Sequence, residues 1–143
     1  MKKILLSLMI GLGFVFTIIQ PISASEYYYE ETIEVIDLNV MTRSIQTKTA
    51  KKTGTYKNTN GQVLWSVTVT GTFTYNGSTS SCTKSTVSTS VVDNTWKIAS
   101  SSSSKTGNKA SAVATAKYYV GGTVVSTQTK TITLTCSQTG VLS

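Results

Sequence analysis

The side chains that most often carry enzymatic chemistry are scarce in this chain of 143 residues and unevenly placed. There is no histidine, which removes the commonest general base and metal ligand. Five of the six carboxylates lie within residues 26–37, and Asp93 is the only acid after them. Paired carboxylates of the glycosidase kind, and oxygen-rich Ca²⁺ or Mg²⁺ sites, are therefore not expected in the later part of the chain. We expect no metal site and no cofactor.

Hydroxyl side chains are abundant, since 46 residues are Ser or Thr. A hydroxyl nucleophile needs a neighbouring base, and only lysine could serve here. No motif singles out one serine for such a pair with lysine. The composition therefore predicts a protein without catalytic residues, that is, not an enzyme.

Cys82 and Cys136 are the only cysteines. Two cysteines in an exported chain most often form one disulfide. A catalytic thiol or half of a metal site is the alternative, and both are disfavoured by the absence of histidine and of a second cysteine pair. We therefore expect a Cys82–Cys136 disulfide.

The N-terminus has the pattern of a secretory signal peptide. Lys2 and Lys3 precede an apolar run over residues 4–19, followed by Pro21 and small residues up to Ala24. The alternative is an uncleaved membrane anchor, but the run is shorter than the roughly 20 residues that span a bilayer. The sequence predicts a signal peptide over residues 1–24, cleavage near Ala24 and an extracellular protein.

Charge divides the remaining chain into two parts. Residues 25–42 hold the clustered acids and no Lys or Arg, whereas residues 43–143 carry a net charge of +10. The acidic leader could be a first strand, a flexible tail or a propeptide, and its charge would let it lie against the basic part. We expect it to be poorly ordered or propeptide-like, and we expect the folded domain to span residues 43–143.

The densest group of lysines is the candidate site for a polyanion. It consists of Lys48, Lys51, Lys52 and Lys57. Extracellular partners for this charge are anionic wall polymers, glycans or a membrane surface, and export argues against nucleic acid. The alternative is that lysines keep a Thr-rich sheet soluble and protect its edges.

The elements that position these residues are predicted to be strands joined by tight turns. Turn dipeptides such as Asn60-Gly61 and Gly121-Gly122 recur every 14 to 17 residues. Residues 62–75 alternate between apolar side chains and Ser or Thr, as in a half-buried strand. The strands are predicted over residues 45–57, 62–75, 79–91, 95–104, 109–120 and 123–136.

Together these strands predict an all-β, antiparallel β-sandwich. Trp96 lies between the two cysteines, an order that resembles the immunoglobulin-like sandwich. The usual corner tyrosine is missing, because Leu134 stands two residues before Cys136. We therefore expect an immunoglobulin-like appearance with an altered topology. Ordinary core packing is the expected role of Trp65 and Trp96.

Three stretches carry a resemblance to other proteins: residues 64–77, 96–105 and 134–143. They resemble a group of small secreted proteins of Gram-positive bacteria that have a signal peptide and one cysteine pair. No activity is established for that group, so the resemblance implies a compartment and a fold class but no site residues.

The predicted function is non-catalytic binding at the cell surface to an anionic or carbohydrate-bearing partner. The alternative is a membrane-active effector, pore-forming or bacteriocin-like, because the predicted strands are long and alternate. Residues 62–75 have the alternation of a membrane hairpin, but their partner strand contains Lys84 and few apolar residues.

Overall fold

The computed structural model describes residues 17–21, 27–40 and 44–143, and within them every regular element is a β-strand. The strands are β1 (Thr17–Pro21), β2 (Tyr27–Val40), β3 (Gln46–Asn58), β4 (Val63–Tyr75), β5 (Ser80–Val91), β6 (Trp96–Thr106), β7 (Lys109–Val120) and β8 (Thr123–Thr135).

Strand β4 shows why these sequences form strands. Val67, Val69 and Phe73 are fully buried, while Thr68 and Thr72 between them are half-buried on the opposite face. β-Branched and aromatic residues favour this pleated conformation. Threonines on the outer face also pair across strands, as in the 2.9 Å hydrogen bond between the Thr53 and Thr68 hydroxyls. The alternation therefore sorts apolar groups inward and hydroxyls outward.

The strands form two antiparallel sheets, and the fold is an all-β sandwich. Sheet A has the order β1-β2-β3-β4-β5, and sheet B has the order β6-β7-β8. Within each sheet every strand pairs with its neighbours in the chain, so the connectivity is up-and-down, and the chain passes from sheet A to sheet B between β5 and β6. Immunoglobulin domains use Greek-key connections instead. The expected departure from immunoglobulin topology is thus a simple meander in each sheet.

The six predicted strands agree with β3 to β8 to within one or two residues at each end. The turn glycines explain this accuracy. Gly121 and Gly122 close β7 and β8 with φ angles of 58° and 79°. Residues with a Cβ rarely adopt such angles, so Gly-Gly marks the reversal of the chain.

The core lies between the two sheets. Sheet A contributes large side chains such as Trp65 and Phe73, whereas β7 contributes four buried alanines. Small side chains let β7 approach sheet A closely, and a Cβ on Gly71 would clash with Ala110. Strand β8 completes the core with Ile132 and Leu134, which are both fully buried.

The acidic leader, expected to be poorly ordered or propeptide-like, is a strand of sheet A over its described part. Strand β2 pairs with β3 along its whole length. Ile33 is only 6% exposed, and Tyr29 lies over Gly54, where a Cβ would overlap its ring. The leader therefore contributes to the core. Its removal from the mature chain stays a prediction.

Most of the predicted signal peptide, including the cleavage site near Ala24, lies outside the described residues. Its segment Thr17–Pro21 forms β1 and pairs with β2 at the edge of sheet A.

Trp96 and the cysteines do not form the immunoglobulin arrangement. Trp96 begins β6, whereas the backbone N–H of Cys82 donates to Gly107 in the turn after β6. The tryptophan and the cysteines therefore lie at opposite ends of the sandwich, because β6 runs the length of sheet B between them. As expected, Trp65 and Trp96 are buried in the core.

Candidate functional site

The four lysines of the predicted polyanion site all lie on β3, but on two different faces. Lys48 and Lys52 point towards sheet B, since they alternate with the outward-facing Lys51. Lys48 donates to the Gly140 carbonyl, and its Nζ lies 5.3 Å from the centre of the Tyr75 ring. The structure therefore does not bring the four side chains together into one surface patch.

Three of these lysines are neutralised by acids of β2. Lys51 pairs with Glu34 at 3.3 Å, Lys52 with Glu31 at 3.2 Å, and Lys57 with Glu30. The antiparallel register that places each acid beside its lysine follows from the pairing of β2 with β3. The expected attraction between the acidic leader and the basic part is thus a set of specific ion pairs.

Lys52 is the most enclosed of the three. The exposed fractions of its side chain and of Glu31 are 13% and 22%, and Lys52 also donates to the Thr133 carbonyl of β8. It therefore links sheet A to sheet B. The Lys51–Glu34 pair is much more exposed, at 40% and 56%.

A second interior cation lies beside this region. The Lys130 Nζ is 5.0 Å from the centre of the Tyr29 ring and 5.7 Å from that of Tyr56. Burial lowers the pKa of Lys130 and raises the pKa of Tyr29, and the Glu31 carboxylate raises the latter further. The aromatic faces stabilise the ammonium group where water is scarce.

Lysines on β5 to β7 are in a different situation. Within the described part of the chain, five of them have no ion-pair partner: Lys84, Lys97, Lys105, Lys109 and Lys117.

Two of these lysines face each other across β6 and β7. Lys97 and Lys117 are directly opposed in the register, and the Lys97 Nζ lies 4.9 Å from the centre of the Tyr119 ring. Like charges in this position destabilise a strand pair. The repulsion between Lys97 and Lys117 therefore destabilises the pairing of β6 with β7, and an anion bound between the two ammonium groups would relieve it.

A column of aromatic rings runs through one end of the core. Tyr27 stacks on Tyr56 with 5.5 Å between ring centres, and Tyr118 stacks on Trp96 at 5.2 Å. Tyr56 also meets Trp96 edge to face at 5.5 Å. The column joins β2 and β3 of sheet A to β6 and β7 of sheet B.

The outer rings of this column, Tyr27 and Tyr118, line a cleft of about 270 Å³ at the same end of the sandwich. Trp96 and Leu64 lie at its base, and polar side chains from two turns surround it. These polar residues are Asn58, Thr59, Asn60, Asp93 and Thr95.

Asp93 is the charged group of this cleft. Its Oδ1 accepts hydrogen bonds from the Thr95 hydroxyl and from the Thr95 backbone N–H. These bonds hold the pKa of the Asp93 carboxyl below its usual value. The second oxygen, Oδ2, accepts no hydrogen bond from the residues that the structure describes.

The two cysteines are free thiols in the structure, so the predicted disulfide is absent from it. Both are buried, and the Cys82 and Cys136 backbone N–H groups donate to the adjacent residues Gly107 and Asn108. The thiols donate to the carbonyls of Lys84 and Ser137 instead of bonding to each other. Burial raises the pKa of both thiols.

Sequence reasoning missed the aromatic cleft. It assigned Tyr27 to a poorly ordered leader and weighed the tryptophans only as core residues. The sequence did contain one indication of the cleft: Tyr118 falls on the same face of β7 as the buried alanines, which places an aromatic ring at the end of the core.

No family model, no curated protein and no solved structure matches the chain. No group of three or more His, Cys, Asp or Glu side chains in the described ranges could hold a metal ion. Residues 17–21, 27–40 and 44–143 also contain no helix long and apolar enough to cross a membrane.

Proposed function

We propose that the protein is a secreted, non-catalytic module that binds an anionic partner at the cell surface. The observation that carries this proposal is the uneven compensation of charge. Acids of β2 neutralise lysines of β3, whereas the lysines of β5 to β7 have no ion-pair partner among the described residues. The opposed pair Lys97 and Lys117 is the centre of the proposed contact, because both charges lie on one face of sheet B.

Binding to long-chain polyphosphate, a soluble polyanion, tests this proposal. A lysine near an anionic surface contributes about 1 kcal/mol, so the double variant Lys97→Gln/Lys117→Gln should bind about thirtyfold more weakly. The matched control is Lys51→Gln/Lys57→Gln, which removes two lysines that already have acidic partners. We expect little change in the control, and we expect wild-type binding to weaken as salt rises. Equal losses in both variants, or affinity independent of salt, would contradict the proposal.

The aromatic cleft favours a second candidate partner, one that bears a neutral carbohydrate. A pyranose ring presents C–H groups that pack on aromatic faces, and hydroxyls that pair with amide and carboxylate groups. Tyr27, Tyr118, Asn60 and Asp93 supply these groups around one cavity. Its volume is slightly below the roughly 300–1,000 Å³ of pockets for drug-sized ligands, which suits a single sugar ring.

Saturation-transfer NMR with neutral monosaccharides and disaccharides tests this second candidate. Tyr118→Leu keeps apolar bulk but removes the flat ring, so the transfer signal should fall at least severalfold. Tyr119→Leu is the matched control, because Tyr119 is the next residue and does not line the cleft. A signal that is absent in the wild type, or equal in both variants, argues against the cleft as a sugar site.

We further propose export with cleavage near Ala24, followed by closure of the Cys82–Cys136 disulfide. Support comes from the hydrogen bonds of both cysteines to neighbouring residues of one turn. With oxidised glutathione as acceptor, the two thiols lose two protons and two electrons, and two reduced glutathiones form. Closing a loop of this length contributes roughly 4 kcal/mol to stability. N-terminal sequencing and thiol titration of the unfolded exported protein test both steps; an intact Met1 or two free thiols would contradict them.

A further inference from the structure

The β7–β8 hairpin extends beyond the rest of sheet B. The last residue pair between β6 and β7 is Trp96 with Tyr118, but β7 and β8 remain paired up to Val120 and Thr123. Residues 119–125, here called the hairpin tip, therefore have no strand beside them on the β6 side. Strand β8 is the other edge of the sheet. The backbone N–H of Tyr119 donates to the Thr95 carbonyl at 2.8 Å, and beyond that bond the tip continues as a two-stranded ribbon.

Apolar side chains cover this tip. Val120, Val124 and Val125 are 53%, 41% and 55% exposed. A register shift between Tyr118 and Tyr119 leaves Val125 without a partner in β7, and such a bulge redirects side chains. Val120 and Val124 belong to successive cross-strand pairs and lie on opposite faces of the ribbon, so apolar side chains are exposed on both sides of the tip. Exposed apolar groups gathered at one place commonly mark an interaction site. The neighbouring β5–β6 turn adds Val92, which is 66% exposed.

The cations of this region lie directly behind the apolar tip. Lys117 precedes Tyr119 by two residues, and Lys97 lies opposite Lys117 with its Nζ over the Tyr119 ring. Neither lysine pairs with an acid of the described chain. Asp93, the acid in the adjacent turn, accepts two hydrogen bonds from Thr95. Behind the Gly121-Gly122 turn, the order inward is therefore valine, tyrosine, lysine.

This order matches the layers of a lipid interface. Apolar side chains reach the acyl region, tyrosine suits the headgroup level, and lysine meets the phosphates of anionic lipids. We infer that the hairpin tip docks onto an anionic phospholipid bilayer, with Val120, Val124 and Val125 entering the interface. This inference rests on the proposed function, because it uses the same pair Lys97 and Lys117.

Sedimentation of the purified protein with vesicles tests the inference. Vesicles of phosphatidylglycerol and phosphatidylcholine should bind the protein, and vesicles of phosphatidylcholine alone should bind it at least tenfold more weakly. Val120→Ser/Val125→Ser should weaken binding to the anionic vesicles at least tenfold. Both positions are exposed, so the fold should tolerate serine there. Val141→Ser is the matched control, because Val141 is 64% exposed near the C-terminus and outside the tip.

Polyphosphate binding separates this inference from the proposed function. The Val120→Ser/Val125→Ser variant should bind polyphosphate as the wild type does, because its lysines are intact. A wild-type protein that binds polyphosphate but not vesicles overturns the bilayer inference alone, as does vesicle binding that ignores the valine changes. A protein that binds neither overturns both. Vesicles that retain a trapped dye while the protein is bound support docking, whereas leakage overturns it in favour of membrane disruption.

Discussion

Strands β2–β3 and strands β5–β7 both carry lysines, but the two regions differ in how their charge is compensated. In the first, three lysines meet three acids across one strand pair. In the second, two lysines face each other with no acid between them. Lysines are densest in the sequence on β3, but their charge is already neutralised there. The positive charge that remains free to meet a ligand lies on β6 and β7.

The largest expected effect comes from removing the acids of β2. In Glu30→Gln/Glu31→Gln/Glu34→Gln, three lysines of β3 lose their partners, and the two regions become alike in charge. Lys52 points into the sandwich, so only Lys51 and Lys57 become free to meet the polyanion. At about 1 kcal/mol per outward lysine, affinity for polyphosphate should rise about thirtyfold. Titration by fluorescence anisotropy measures it, with Thr32→Gln on the same strand as a control that changes no charge. An affinity that stays constant would show that the β2 acids do not limit binding.

The next effect distinguishes ion pairs within the compensated region. Lys52→Met should destabilise the fold by about 2 kcal/mol, because it leaves the half-buried Glu31 carboxylate without its partner. This value lies between those for exposed and for fully buried ion pairs. Lys51→Met, one residue away and exposed, should cost less than about 1 kcal/mol. Urea denaturation measures both. Equal costs would mean that burial does not separate the two pairs.

The smallest effect concerns Asp93, the one acid beside the uncompensated region. Because its pKa is lowered in the folded state, its contribution to stability is complete above the unfolded value near 3.9 and is lost as pH falls through the folded value. Asp93→Asn should therefore lose less stability than the wild type on acidification.

Urea midpoints between pH 2 and pH 5 measure this difference. Thr95→Val, which keeps the carboxylate but removes one of its two donors, should give an intermediate slope. Identical slopes in all three proteins would contradict the assigned role of Thr95.

Most of the fold could be predicted from the sequence because the local signals agree. Strand β4 alternates without interruption from Trp65 to Tyr75, and Gly121-Gly122 supplies the φ angles of a tight turn. A first strand was one of three alternatives for the leader, and a poorly ordered terminus was preferred because clustered acids are typical of a solvated segment. The inward-facing residues of β2 can be recognised only when β3 lies beside it, because Glu31 then meets Lys52 and Tyr29 lies over Gly54.

The candidate site was less predictable than the fold. Spacing along the chain groups Lys48, Lys51 and Lys52, but alternation in a strand sends neighbouring side chains to opposite faces. The pair Lys97 and Lys117 is separated by a hairpin, so only the register brings it together. The cleft likewise needs Tyr27 and Tyr118 from different sheets, and this proximity is a property of the sandwich alone.

The meander of strands also sets the order in which the molecule can fold. Because every pairing joins strands that are neighbours in the sequence, each pair forms with a small loss of chain entropy. A chain that emerges N-terminus first can complete β2 to β5 before β8 exists. Until Ile132 and Leu134 arrive, mainly the small side chains of β7 cover the apolar face of β4, so the core stays incomplete. The last strand to be made is therefore the one that ends the period in which the chain is most prone to aggregate.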